Sequence, residues 1–362
     1  MRVLKYFMLL FILGFIAFSV FIATQDGGYT VQKSRIIPLS KTTLYQYVNN
    51  FKNWQDWGSW VDEDPKMKFI FSDISSGVGS QYEWEGKNED GLIKNIFESE
   101  NDSIVYSIST STGKLNSFIS FKEVKGGTLI TWSSSGTLDF KGKCNSLLYG
   151  SKQNELETVY TKSLEKLEKV LTKEIATYNI EIEGVVQIDS LFYLQKKSDS
   201  KITDYYIKLG KLMPEILNFT VANKMPQKGK PFTIFDKYEL NNNRMLFSVC
   251  IPLKEEIYTT AQSEYTAGKL ESHSALKIIL KGDYSHSKKA WEKGFNYIIK
   301  NKLEEVKDGI YREVYITSSL DSRKPSSYIT EVYIPVKPTI IPKPRVDIPI
   351  IIQPKTSLTK EK

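Results

Sequence analysis

Three periodicities follow one another along this chain. From Tyr6 to Gln25 there is no charged residue, and Arg2 and Lys5 stand in front of the run. At 1.5 Å rise per residue these residues span about 30 Å, one bilayer hydrocarbon core. A cleaved signal peptide has a shorter apolar core of about 7–15 residues and a small-residue exit. The nearest approach to such an exit, Ala17-Phe18-Ser19, lies inside the run. The run therefore predicts an uncleaved signal anchor within residues 1–28. Its basic stub stays in the cytoplasm, and the rest of the chain sits on the periplasmic or extracytoplasmic side.

Beyond Asp26-Gly27-Gly28 the pattern becomes that of a folded domain, residues 29–173. "YTVQKSRIIPLS" alternates like a strand, and Ser40 then caps a stretch that spaces Leu44, Tyr47, Val48 and Phe51 helically. From Met67 to Phe140 the period is two, giving six strands cut by Gly, Asn and Asp turns. Gly126-Gly127 predicts a tight hairpin, since glycine accepts positive φ. A long helix closes the segment, with Val159, Leu164, Leu167, Val170 and Leu171 on one apolar stripe.

The pattern restarts at Tyr178, in a second domain over residues 174–336. "YNIEIEGVVQIDSLFYLQKKS" predicts two strands around a bend at Gly184, and Pro214 is expected to break or kink the helix that follows. This half repeats itself: "LFSVCIPLK" (246–254) returns as "ITEVYIPVK" (329–337), aligning Val249 with Val332 and Ile251 with Ile334. Each copy reads strand, helix, strand, strand, so two such units predict a pseudo-twofold domain with a groove where the halves meet. At one position the copies differ in charge, Ser248 against Glu331. From 337 to 362 five prolines recur without a core period, which predicts an extended, disordered basic arm.

Charge narrows the classes of function. Of the net +7, the arm carries six basic residues against two acidic ones, which leaves +3 for everything before it. No basic stripe of a nucleic-acid footprint remains, so no nucleic-acid partner is expected. Cys144 and Cys250, in separate domains, read as small buried hydrophobes, and with only His273 and His286 no metal spacing exists. No cofactor is expected.

The phrase "VNNFKNWQDWGSWVDEDP", together with the element order of residues 29–173, resembles the opening of the SRPBCC (START-like, polyketide-cyclase-like) superfamily. That resemblance implies a helix-grip sheet whose apolar cleft takes hydrophobic ligands. Trp54, Trp57 and Trp60 then either line the cleft mouth or pack as core. With no His and no evident inward carboxylate pair, the segment reads as a binding cavity and not an active site.

"LKGDYSHSKKAWEKGFNYI" and "TEVYIPVK" make residues 174–336 similar to the GyrI-like small-molecule-binding domain, also used as an effector-binding domain by AraC- and MerR-type regulators. The resemblance implies a groove glutamate that meets cationic aromatic ligands, and assigns it to Glu331. Tyr333 shares the face of Glu331, while Val332 and Ile334 share the other. Tyr284 and Trp291, seven residues apart across a helix start capped by Ser285 or Ser287, are the next groove candidates. Some relatives hydrolyse strained ligands through a groove glutamate, so Glu331 is also the candidate general acid/base. His286 is expected to be exposed in the first helical turn.

Taken together the sequence predicts an α+β protein, anchored in the membrane, with two tandem cavities for small-molecule ligands. Two rivals stay open: a hydrolase acting through Glu331, and a scaffold whose clefts are filled by its own side chains. The oligomeric state is not legible.

Overall fold

The computed structural model describes residues 2–87, 89–111, 113–260 and 262–338. The arm expected from 337 onward lies outside the described residues except for its first two positions.

Helix α1 (Arg2–Thr24) is the one helix among the described residues long and apolar enough to cross a membrane, over Val3–Thr24. Strand β1 (Gly28–Ile37) leads into α2 (Lys41–Asn49), where the Ser40 hydroxyl accepts from Thr43 N at 3.1 Å as expected of a cap. Two short helices, α3 (Trp54–Trp57) and α4 (Trp60–Glu63), precede six strands: β2 (Lys68–Phe71), β3 (Gln81–Glu85), β4 (Gly91–Ser99), β5 (Ser103–Thr110), β6 (Gly113–Val124) and β7 (Gly127–Leu138). They form an antiparallel seven-stranded sheet in the order β1-β7-β6-β5-β4-β3-β2. Gly126 and Gly127 turn β6 into β7 at φ +95° and +144°. At Gly127 a Cβ would stand 2.1 Å from Ile37 O, so this turn needs glycine for space as well as for φ.

Helix α5 (Phe140–Tyr149), absent from the sequence-level expectation, is opened by Asp139, whose carboxylate accepts from Gly142 N at 2.7 Å. The long helix α6 (Lys152–Ala176) then lays Tyr160, Leu164, Leu167 and Leu171 on the sheet.

The second sheet has eight antiparallel strands in the order β12-β9-β11-β10-β14-β15-β13-β8. Its elements in chain order are β8 (Asn179–Ile188), β9 (Leu191–Lys201), α7 (Tyr205–Ala222), β10 (Phe232–Glu239), β11 (Arg244–Leu253), β12 (Thr266–Leu270), β13 (His273–Lys281), α8 (Ser287–Lys300), β14 (Arg312–Thr317) and β15 (Ile329–Pro335). Gly184 does not divide two strands. It is a bulge within β8, at φ +116°, where the register against β13 shifts. Pro214 does not end α7 either. It lies inside the helix, which runs on to Ala222.

Both helices cover one face of this sheet. Helix α7 packs on Phe247, Val249 and Ile251, and α8 on Ile278, Val332 and Ile334. Between the two sheets, the β14–β15 connection touches the first domain. Arg323 Nη1 donates to Lys52 O at 2.7 Å and lies 3.5 Å from Asp56, and Ser326 Oγ donates to Glu174 at 2.5 Å. His286 is buried rather than exposed: its Nε2 donates to Ile175 O at 2.7 Å and its ring stacks on Tyr178 at 3.6 Å. The residues joining the domains supply the partners that bury it.

Candidate functional site

Alternation along β14 sends Arg312 and Val314 to one face and Glu313 and Tyr315 to the face under the helices. Glu313 is 0% exposed. It stands at the seam between the two halves of the sheet, paired with Thr233 of β10, which is also 0% exposed.

Both helices present their first turns to this carboxylate. From α8, the Ser287 hydroxyl donates to Oε1, and Trp291 Nε1 donates to the same oxygen at 2.8 Å. From α7, the Tyr206 hydroxyl lies 3.2 Å from each carboxylate oxygen. Tyr315 OH reaches Oε2 at 3.2 Å, and is itself 2.8 Å from Tyr205 OH and 3.2 Å from Thr233 Oγ1. Tyr315 has one proton. Directing it to the carboxylate leaves its lone pairs to accept from Tyr205 and Thr233, which satisfies the whole chain of hydroxyls. The expected caps Ser285 and Ser287 serve differently: Asp283 caps the turn at Tyr284–His286, which frees the Ser287 hydroxyl for Glu313.

Aromatic rings roof the site. Tyr206 and Tyr284 stack at 4.9 Å and 4°, Phe235 meets Trp291 edge-on at 5.5 Å, and Tyr284 also contacts Tyr328 at 5.3 Å. Tyr206, Tyr284 and Trp291 keep partial exposure, so the roof reaches solvent while the carboxylate does not. Burial pushes the Glu313 carboxyl above its ordinary range, opposed by the hydrogen bonds from Ser287, Trp291, Tyr206 and Tyr315. Burial also holds Tyr205, Tyr206 and Tyr315 well above a phenol's usual value, so they stay protonated donors. Among the described residues no Lys, Arg or His forms an ion pair with Glu313. The result is a buried carboxylate with ample hydrogen bonds, no countercharge and an aromatic roof. Such a box can take a delocalised cation or hold a proton for transfer.

The residues singled out from the sequence divide between the two faces of the sheet. Tyr284 and Trp291 sit at Glu313. Glu331 and Tyr333 share a face, as their alternation requires, but it is the face turned away from the helices. There Lys277 Nζ lies 2.9 Å from Glu331 and 2.9 Å from Glu183, and Tyr333 OH donates to Glu331 at 2.6 Å. The Arg312 guanidinium lies 4.4 Å from the centre of the Tyr333 ring. The carboxylate of Glu331 thus already has a cation, and it lies on the face away from α7 and α8.

Glu313 was within reach of the sequence. At a spacing of 80 residues, three short of the 83 that sets Ser248 against Glu331, "FTIF" (232–235) stands against "REVY" (312–315) and Thr233 against Glu313. A carboxylate inside a strand pattern, two positions before an aromatic, was the available signal.

In the first domain Trp54 and Trp57 are 2% and 0% exposed, and Trp60 packs partly buried against them. Trp54 Nε1 donates to Val48 O at 2.7 Å, and its ring lies 5.6 Å from Trp132, which stacks on Tyr160 at 4.0 Å and 10°. These rings fill the space between sheet and α6. Of the two alternatives Trp54 and Trp57 follow core packing in this structure, with Trp60 partly exposed beside them.

Residues 192–337 match the GyrI-like small molecule binding domain. The matched segment begins within β9 and contains every residue of the Glu313 cluster. No curated protein matches the sequence. Among solved structures, the EcmrR C-terminal domain is 18% identical over 45% of this chain and 99% of its own, with a TM-score of 0.38. SAV2435 bound to tetraphenylphosphonium is 16% identical over 43% of this chain and 94% of its own, with a TM-score of 0.32. The Aha1 dimer from Colwellia psychrerythraea is 13% identical over 40% of this chain and 96% of its own, with a TM-score of 0.30.

Proposed function

We propose that the GyrI-like domain binds a small aromatic organic cation in the cleft between α7 and α8, with Glu313 as its countercharge. One observation carries this reading: Glu313 is fully buried and receives hydroxyl and indole donors, yet has no cationic partner among the described residues. Hydrogen bonds stabilise a buried carboxylate only in part, and a positive ligand under the aromatic roof supplies the missing charge. The Tyr206, Tyr284 and Trp291 side chains close the cleft in this structure, so entry requires them to turn outward. Small-molecule binding is also the function that the matched family model describes.

The raised carboxyl of Glu313 also suits a general acid, which moves the hydrolase reading from Glu331 to Glu313. Around this domain we place α1 as a membrane anchor with both sheets extracytoplasmic, and residues 29–173 as an SRPBCC-like helix-grip unit whose cleft is filled. A reporter fused at Lys337 is expected to read extracytoplasmic. Cytoplasmic activity there, or a mature chain lacking α1, overturns the topology.

The test of the site is titration of full-length protein and Glu313→Gln with tetraphenylphosphonium and with neutral triphenylphosphine oxide. Loss of a charge-assisted contact of about 1–3 kcal/mol weakens the cation by roughly 5- to 150-fold and leaves the neutral probe unchanged. Equal cation affinity in both proteins overturns the proposal. Unchanged binding with loss of turnover of a strained ligand favours the hydrolase.

A further inference from the structure

We propose that α5 is a second membrane contact, an interfacial helix whose apolar tip enters the headgroup region beside the exit of α1. This rests on the reading of α1 as a membrane span.

The helix lies where the span ends. Leu138 N donates to Gly27 O at 2.9 Å, two residues before α5 begins and three after α1 ends. Lys143 Nζ, on the first turn of α5, donates to Ala23 O at 3.2 Å and so satisfies a carbonyl in the last turn of α1. Ile22 is buried, whereas the rest of the described apolar side chains of α1 are exposed, as a lipid-facing helix requires. The start of α5 is therefore held at the level where the chain leaves the hydrocarbon.

Its side chains suit that level. Phe140, Cys144, Leu147 and Leu148 recur at i, i+4, i+7 and i+8, one stripe of a helix. Phe140 is 50% exposed, Leu147 55%, Leu148 66% and Tyr149 86%, the last three adjoining at the tip before the turn at Gly150. Nothing in either sheet covers them. The segment carries Lys141 and Lys143 and no acidic residue. Apolar and aromatic side chains with flanking lysines, on a helix lying in the interface, gain from acyl-chain contact and from anionic headgroups. Continuity with α1 selects the bilayer as the occupant, because a partner protein at this place must share the space with lipid.

Bromolipid quenching of full-length protein in phosphatidylcholine/phosphatidylglycerol vesicles tests this. Three variants each add one tryptophan to the same background: Phe15→Trp within α1, Leu148→Trp on α5 and Lys125→Trp at the β6–β7 turn. The last is exposed and separated from Leu138 by the length of β7, about 36 Å for twelve residues. The added emission is expected to fall in brominated vesicles for F15W and L148W and to hold for K125W. Quenching of F15W alone, with L148W behaving as K125W, overturns the interfacial helix and leaves the anchor standing. Blue-shifted but unquenched L148W emission places a protein surface there and overturns it equally. No quenching at F15W removes the anchor, and the inference with it.

Discussion

Thr233 and Glu313 face each other across β10 and β14, both fully buried, and on their other sides they pair with Val249 and Val332. Tyr315 OH joins the pair, 3.2 Å from Thr233 Oγ1 and 3.2 Å from Glu313 Oε2. Of this facing pair only Glu313 can carry a charge. A neutral threonine accepts burial at little cost when hydrogen-bonded, whereas the carboxylate opposite it is costly until it meets a proton or a cation.

That cost sets a pH dependence. The folded carboxyl of Glu313 titrates above the ordinary 4.5 of the unfolded chain. Its stabilising contribution is complete below that value, where both states are protonated, and is lost as pH rises through the raised folded value. Glu313→Gln removes the penalty, since the hydroxyls of Tyr206 and Tyr315 can turn to accept from the new amide while Trp291 still donates to its oxygen. Thermal melts of the empty protein are expected to show a higher Tm for E313Q at pH 7 and a difference that shrinks toward pH 4. A lower Tm at pH 7 contradicts the account.

Glu331 is expected to behave oppositely. Glu331→Gln removes one of the two carboxylates on Lys277 and weakens the acceptor for Tyr333. A loss of about 1–3 kcal/mol in stability follows, read by chemical denaturation, with cation affinity unchanged. If E331Q rather than E313Q loses the cation, the ligand lies on the other face of the sheet.

Trp54 carries structural weight in the first domain. Its ring contacts Phe51, Trp57, Tyr106 and Trp132 and its indole N–H is spent on Val48 O. Trp54→Ala is expected to cost about 3–5 kcal/mol, the range for emptying a large buried aromatic site. Saturable dye uptake by the wild-type first domain at nanomolar strength, and its loss in W54A, is the result that restores a ligand cleft there.

Arg323 ties the β14–β15 connection to the first domain through Asp56 and Lys52 O, while Tyr328 of the same connection leans on Tyr284. The pair is partly solvated, so Arg323→Ala costs below about 1 kcal/mol in global stability. Amide exchange of residues 318–328 is expected to quicken nonetheless, and cation binding in the cleft to slow it again in both proteins. Exchange that ignores both changes separates this connection from the site.

Much of this architecture is written in local pattern. Period-two alternation marked β2 to β7, Gly126-Gly127 marked the hairpin, and Ser40 marked the start of α2, because each is decided by neighbours a few residues away. The helix start at Tyr284 and Trp291 was legible for the same reason, and so was the repeat. Gly184 misled because its effect depends on a partner strand: β13 absorbs the bulge, and β8 runs on through it. Helix α5 has a cap but a face that no described residue buries, so its period did not stand out.

The site itself turned on a choice that alternation leaves open. Alternation on β15 correctly set Glu331 and Tyr333 apart from Val332 and Ile334, and on β14 it sets Glu313 apart from Arg312. Which face of the sheet becomes the floor of a cleft is decided only when α7 and α8 dock, and they dock on Val332 and Phe247. That docking brings Tyr206, Ser287 and Trp291 to Glu313 and leaves Glu331 to Lys277. A period of two defines faces, but burial of one face against helices far apart in sequence is a property of the folded sheet alone.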